Sequence, residues 1–221
     1  MILCIADVLR FPEWTQAQFL LGSAQFESGE RTAGWHARLV KRNLQLVPDA
    51  PAIVELRTLV QQALHRNPLF QMAALPKALH PILFSRYESG MSYGNHVDNA
   101  FMGEELLRSD ISFTLFLSEP HTYSGGELVI EGTHGEQSFK LAAGSLILYP
   151  ASTLHRVEPV TAGVRFAAVS WVQSLVRDAS DREILFDLET VRQALFTQSG
   201  KTPEFDLLSK SYANLLRKWG N

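Results

Sequence analysis

Between residues 81 and 172 the chain is divided into eight short runs of β-type residues: 82–88, 92–98, 111–117, 127–131, 137–141, 145–149, 153–160 and 164–172. Turn chemistry separates them, notably Gly125-Gly126, Gly132-Thr133-His134-Gly135 and Thr161-Ala162-Gly163. Runs this short and this regularly spaced predict a double-sheet β-barrel or jelly roll. The mouth of such a barrel is a natural small-molecule site.

The flanks read differently. A short strand is expected over 2–8. A helix from near Pro12 follows, with Trp14, Phe19, Leu20 and Leu21 as its core stripe. Residues 22–34 read as loop, and 35–46 as an extended segment in which Lys41, Asn43 and Gln45 alternate in part with Val40, Leu44 and Leu46. Ile53, Leu56, Leu59, Val60 and Leu64 then recur at helical spacing, and Asn67-Pro68 ends that helix. After Gln173, a capping box at Ser180 to Glu183 precedes Leu185, Leu188, Val191 and Leu195, and Thr202-Pro203 opens a second helix. The expected fold is α+β: a double-stranded β-helix (jelly-roll) core with N-terminal supporting helices and a C-terminal helical extension. Its divisions are 1–79, an α/β support region; 80–174, the core; and 175–221, the extension. The last two helices either pack on the barrel, which spacing favours, or form a homodimer interface.

With 221 residues and 46% hydrophobic content the chain suits one domain with extensions and can bury a sizeable core. A formal charge of -3 gives no reason to expect nucleic acid as a partner. Cys4 is the only cysteine, so an intramolecular disulfide and a thiolate cluster are both excluded. No basic leader and no membrane-length apolar run is apparent, so a cytoplasmic protein without membrane attachment is expected.

Inside the β-rich half sits Tyr93-Gly94-Asn95-His96-Val97-Asp98-Asn99. On an extended strand His96 and Asp98 face one side and Val97 the other. Two ligands on one face are half of a metal site, and His155 can supply a third from another strand of the same sheet. Two histidines and one carboxylate suit non-haem Fe(II) with open coordination positions. A His-x-Asp triplet alone arises often by chance; Arg165, ten residues beyond His155, adds weight. Its side of the strand repeats at Ala167, Val169 and Trp171, so the guanidinium points into an apolar surface unless something anionic meets it. The remaining histidines, His36, His65, His80, His121 and His134, have no comparable partners and are expected at the surface or at caps.

Taken together, Arg86-Tyr87, Gly90, Tyr93, His96-Val97-Asp98-Asn99, Ser124-Gly125-Gly126-Glu127-Leu128, His155 and Arg165 resemble the Fe(II)/2-oxoglutarate dioxygenases of the prolyl/lysyl hydroxylase type over residues 80–173. The flanking Arg31-Thr32-Ala33-Gly34, the stretch Val40 to Leu46 and the tail after Trp171-Val172-Gln173-Ser174 resemble the bacterial PKHD-type hydroxylases associated with iron uptake, the PiuC/YbiX-like group. The resemblance implies that His96, Asp98 and His155 hold Fe(II) and that Arg165 takes the distal carboxylate of the cosubstrate 2-oxoglutarate. It further implies that O2 and a C–H bond of a small-molecule or peptidyl substrate react with decarboxylation to succinate and CO2. L-ascorbate is the implied reductant for iron oxidised in uncoupled cycles. Some relatives carry a cosubstrate-binding tyrosine on the strand after His-x-Asp; 111–117 holds Phe113 and Phe116 instead, which leaves Tyr87 as the candidate. Lys41, Asn43 and Gln45 either line the substrate side or lie on the surface. A non-catalytic iron/2-oxoglutarate sensor using the same pocket is the alternative, and would lack substrate-stimulated turnover. The substrate itself, whether protein residue, free amino acid or siderophore-like molecule, is not set by the fold.

Overall fold

The computed structural model describes all 221 residues and is a jelly roll of two facing antiparallel sheets with five helices around it. The larger sheet runs, in spatial order, Leu3–Ile5, Leu146–Pro150, Ile111–Phe116, Arg165–Ser174, Leu83–Tyr87, Leu44–Leu46 and Phe26–Ser28, with Pro76–Leu79 pairing the far end of Arg165–Ser174. The smaller runs Gly135–Phe139, Leu128–Gly132, His155–Val157, Ser92–His96 and Lys41–Arg42.

Side-chain alternation assigns a different task to each face of the larger sheet. Along Ile111–Phe116, Ile111, Phe113 and Leu115 join a core of 25 buried residues, into which the helices Phe11–Gly22, Ile53–Arg66 and Pro68–Ala74 send Leu21, Leu56 and Phe70. The alternate residues Ser112, Thr114 and Phe116 are also buried but point between the sheets. There a second cluster joins Tyr87, Phe116, Ile147 and Tyr149 of one sheet to Leu128, Ile130 and Val157 of the other. The outer face supplies stability; the inner face is where the chain can hold polar groups.

Local differences from the sequence reading have physical causes. In the first helix Ala17 and Leu21, one turn apart, are buried, and Phe19 is 79% exposed, because it lies two residues, about 200° at 3.6 residues per turn, from either. The loop at 22–34 contains the strand Phe26–Ser28 and a 3-10 turn, Gly29–Thr32. The extended segment 35–46 splits: Lys41–Arg42 pairs with Tyr93 and Ser92 of the smaller sheet, and Leu44–Leu46 pairs with the larger one. At Asn67-Pro68 one helix ends and another begins, capped by Asn67, whose side chain accepts from the Phe70 N–H at 3.0 Å. The run 153–160 breaks after Val157, and Thr161-Ala162-Gly163, expected as a turn, belongs to a strand, Val160–Gly163, paired with Tyr123–Gly125. His80 is buried, with its ring edge-on to Trp171, rather than at the surface.

The C-terminal helices are Ala179–Ser199, capped by Asp178, and Pro203–Trp219, capped by Thr202. They pack on the domain through Leu185 with Tyr212, Leu215, Leu216 and Trp219 around Val176 and Leu75. No helix is long and apolar enough to cross a membrane. Leu56→Ala, which empties a fully buried position of the main core, should cost about 2–5 kcal/mol. Leu207→Ala, at a position 58% exposed, should stay within about 0.5 kcal/mol of the parent; urea unfolding of both variants checks the contrast.

Candidate active site

His96 is the last residue of its strand and His155 the first of the neighbouring one, and the two are directly paired across the antiparallel ladder. Their ring centroids lie 4.2 Å apart. Asp98 follows two residues after His96, with Val97 turned outward between them. One ligand atom from each of the three lies within 4.8 Å of the others. Both imidazoles are oriented in the same way: Nδ1 of His96 meets the Gly94 carbonyl at 2.9 Å, and Nδ1 of His155 meets the Thr153 carbonyl at 3.0 Å. With Nδ1–H donating to a carbonyl, Nε2 is the unprotonated nitrogen. The two Nε2 atoms face Asp98, at 3.9 Å from Oδ1 and 3.8 Å from Oδ2. Burial, then the neighbouring His155, pushes His96 down to about 4, so it is neutral and available as a ligand near pH 7.

The inner face of the larger sheet completes the surroundings. Ser112 donates to Asp98 Oδ2 at 2.6 Å, which fixes the carboxylate. Tyr93 stacks on His96 at 3.6 Å and 15°, and Tyr149 lies 5.0 Å from the His155 ring. Burial raises the phenols of Tyr93 and Tyr149, and the Asp98 charge adds to both shifts. These aromatic walls, with Thr114 and Trp171, line a cleft that opens to solvent.

Arg165 is 1% exposed, the largest fully buried side chain in the protein. Its guanidinium lies over the rings of Tyr87 and Phe116, 5.2 and 5.4 Å from their centroids. Nε and Nη2 have no hydrogen-bond partner, and a cation left this way costs several kcal/mol unless an anion reaches it. Tyr87 faces Arg165 in the strand register and lines the cleft beside Asn43. Burial raises its phenol, and Arg165 pulls the other way. Space for the Arg165 stem comes from Gly126: a Cβ there would stand 3.0 Å from Arg165 Cδ, 3.1 Å from Tyr123 and 2.8 Å from Val160.

The structure therefore brings His96, Asp98 and His155 together, with Tyr87 on the same cleft and Arg165 against Tyr87. Lys41, Asn43 and Gln45 are not on the surface: all three are buried, and all three line the cleft. The sequence reading missed Ser112, Thr114 and Tyr149, which sit at alternating, inward positions of two β-runs that it did identify. Carrying the period of two along those runs would have marked them.

Comparison with known proteins places these observations. Residues 82–173 match the family model described as 2OG-Fe(II) oxygenase superfamily, and residues 179–221 match the PKHD-type hydroxylase C-terminal domain. A PKHD-type hydroxylase of Synechococcus sp. (strain JA-2-3B'a(2-13)) is 62% identical, over 99% of each chain. Another, from Rippkaea orientalis, is 58% identical over 100% of each. Among solved structures, a Trichoplax adhaerens prolyl hydroxylase in complex with a hypoxia inducible factor oxygen degradation domain peptide fragment superposes with a TM-score of 0.57 at 17% identity, covering 83% of this chain and 86% of that one. At that identity the likeness is one of fold.

Two glycines with positive φ separate backbone strain from crowding. Gly126 (φ 69) is hemmed in by Arg165 and Tyr123, while Gly90 (φ 85) has nothing within 4 Å. Gly90→Ala should lose about 1–2 kcal/mol for the left-handed conformation alone, and Gly126→Ala a further 1–3 kcal/mol or so for overpacking. Chemical denaturation of the pair measures the difference.

Proposed function

The chain belongs to the PKHD-type hydroxylases of the 2OG-Fe(II) oxygenase superfamily, and from that membership we propose that it hydroxylates a C–H bond of an organic substrate with one atom of O2, the other entering the succinate formed as 2-oxoglutarate loses CO2. As a member it is a dioxygenase that uses Fe(II) and 2-oxoglutarate. L-ascorbate as the reductant and a cytoplasmic setting belong to the proposal.

The residues fit that chemistry. Two imidazoles and one carboxylate are the donor set of a non-haem Fe(II) centre with open positions, and His96, Asp98 and His155 would hold the ion through Nε2, a carboxylate oxygen and Nε2. Bound there, Fe(II) would supply a centre at which O2, the oxidant, is activated for C–H hydroxylation and at which a 2-oxo acid can chelate. The single observation that carries the reading is the buried guanidinium of Arg165, two of whose nitrogens have no partner in the protein. A dicarboxylate whose far end meets Arg165 removes that penalty through charge-assisted hydrogen bonds.

Each neighbouring side chain then has a task. Ser112 holds Oδ2 of Asp98, so the carboxylate presents a fixed oxygen. The Gly94 and Thr153 carbonyls keep both imidazoles in one tautomer. Tyr87, Tyr149 and Phe116 keep water away from the Arg165 end and stiffen the cosubstrate's surroundings. Of the other lining residues, Thr32, Lys41 and Gln45 are left for the substrate. The peptide bound to the Trichoplax neighbour is compatible with a peptidyl substrate, and a cleft open to solvent admits small molecules equally.

Anaerobic titration of the protein with Fe(II) and 2-oxoglutarate should develop the weak visible charge-transfer band of a chelated 2-oxo acid. Asp98→Ala should fold normally and give neither band nor succinate. Arg165→Ala should raise the 2-oxoglutarate concentration needed on the order of 10- to 100-fold, the worth of hydrogen bonds to a charged group. Ser112→Ala should weaken Fe(II) binding about 10- to 100-fold by freeing Asp98. A folded parent protein that never shows the band would end the proposal.

A further inference from the structure

The cleft contains a second cation that the metal site and Arg165 leave unused. Lys41 is 5% exposed, and the only hydrogen bond of its side chain goes to a neutral hydroxyl, Thr32 Oγ1, at 2.8 Å. Its Nζ lies 5.1 Å over the ring of Tyr93, whose other neighbour is the His96 ring stacked at 3.6 Å. No acidic side chain forms an ion pair with it; Asp98 acts on it only at longer range. Buried lysines without a partner are rare, because desolvating an ammonium costs more than a cation–π contact returns.

The residues beside it share this condition. Asn43 is buried beside Tyr87, and neither amide atom meets a partner within hydrogen-bond geometry. Room for it is made by Gly29, where a Cβ would fall 2.0 Å from Asn43 Oδ1. Thr32 Oγ1 donates to Gln45 Oε1 at 2.5 Å, so the Gln45 amide presents its Nε2 donor elsewhere. Lys41, Asn43 and Gln45 alternate on one extended segment, and all line the cleft. A row of donors headed by an ammonium matches an anion with several acceptor oxygens, that is, a carboxylate.

We infer that Lys41, with Asn43 and Gln45, binds a carboxylate group of the substrate and thereby selects substrates that carry one near the bond to be hydroxylated. The inference rests on the reading of the cleft as a 2-oxoglutarate oxygenase site. Carboxylates come from two sources here, the cosubstrate and the substrate. Arg165 is the partner left for the first, on a different strand and against Tyr87, whereas Lys41 stands over the Tyr93 ring, which stacks on His96.

The test uses the full chain, loaded anaerobically with Fe(II) and saturated with 2-oxoglutarate. Failure of the visible band at this stage counts against the oxygenase reading and is seen before any probe is added. N-acetyl amino acids, each paired with its own carboxamide, are then titrated in, and binding is followed by tryptophan fluorescence and by melting temperature. The acids should bind at least tenfold more tightly than the amides, Lys41→Met should bring the ratio close to one, and Lys41→Arg should retain part of it. Lys41→Met should melt at or above the parent, since it removes an unpaired buried charge. Equal binding of acid and amide by the parent, or no binding of either, overturns the inference, as does a preference that survives Lys41→Met. Acid binding that excess 2-oxoglutarate displaces would reassign Lys41 to the cosubstrate. A marked fall in the melting temperature of Lys41→Met, with acid and amide binding lost together, would assign the lysine to the architecture and overturn the inference too.

Discussion

Two cations, a carboxylate and two imidazoles share the inside of one small barrel, and accommodating them without losing the fold is the constraint on which everything else depends. Each charged group removed from water costs several kcal/mol unless it is partnered. Asp98 is partnered by Ser112. Arg165 and Lys41 are not partnered by any acid of this protein, and their cost falls on the folded state. The offset comes from the other side of the same strands. A fully buried leucine, isoleucine or phenylalanine contributes about 1.5–3 kcal/mol, so two or three members of the 25-residue cluster balance one such ion. The helices are therefore connected energetically with the site, though none of them reaches it.

Close approach of backbone to side chain is the second device. Gly126 admits the Arg165 stem and Gly29 admits Asn43; any larger residue would occupy the space that the polar group needs. The Gly125-Gly126 pair, legible in the sequence as a turn, thus has a further reason to be glycine, which lies in the packing around a residue forty positions away. Sequence alone carries no sign of that distance.

How much was legible follows from which interactions are local. His96 and Asp98 were readable because a strand's period of two is local; His155 could be offered only as a ligand from some other strand of the sheet, and the ladder that pairs it with His96 is a tertiary contact. Arg165 was readable as a charge inside an apolar run. Lys41, Asn43 and Gln45 were not, since their segment passes from one sheet to the other and its burial is decided by what it crosses. Thr161-Ala162-Gly163 was misread as a turn because the short ladder with Tyr123–Gly125 is a tertiary contact that overrides turn chemistry. His80 was assigned to the surface by the usual behaviour of a lone histidine, and the packing of Trp171 decided otherwise.

The division of each strand into an outer and an inner face also explains why fold and substrate are separable here. The outer residues Phe84, Phe113, Leu115, Leu148 and Ala168 need only be apolar and of suitable volume, a requirement that many sequences meet. A chain with 17% identity to this one can therefore keep the same barrel. The inner residues answer to chemistry, and a change at Ser85, Thr114 or Asn43 alters what the cleft can hold while leaving the outer packing in place. Substrate choice must then be decided by the inner row and its supporting segment, and it is there, rather than in the architecture, that this protein is to be told apart from others with its fold.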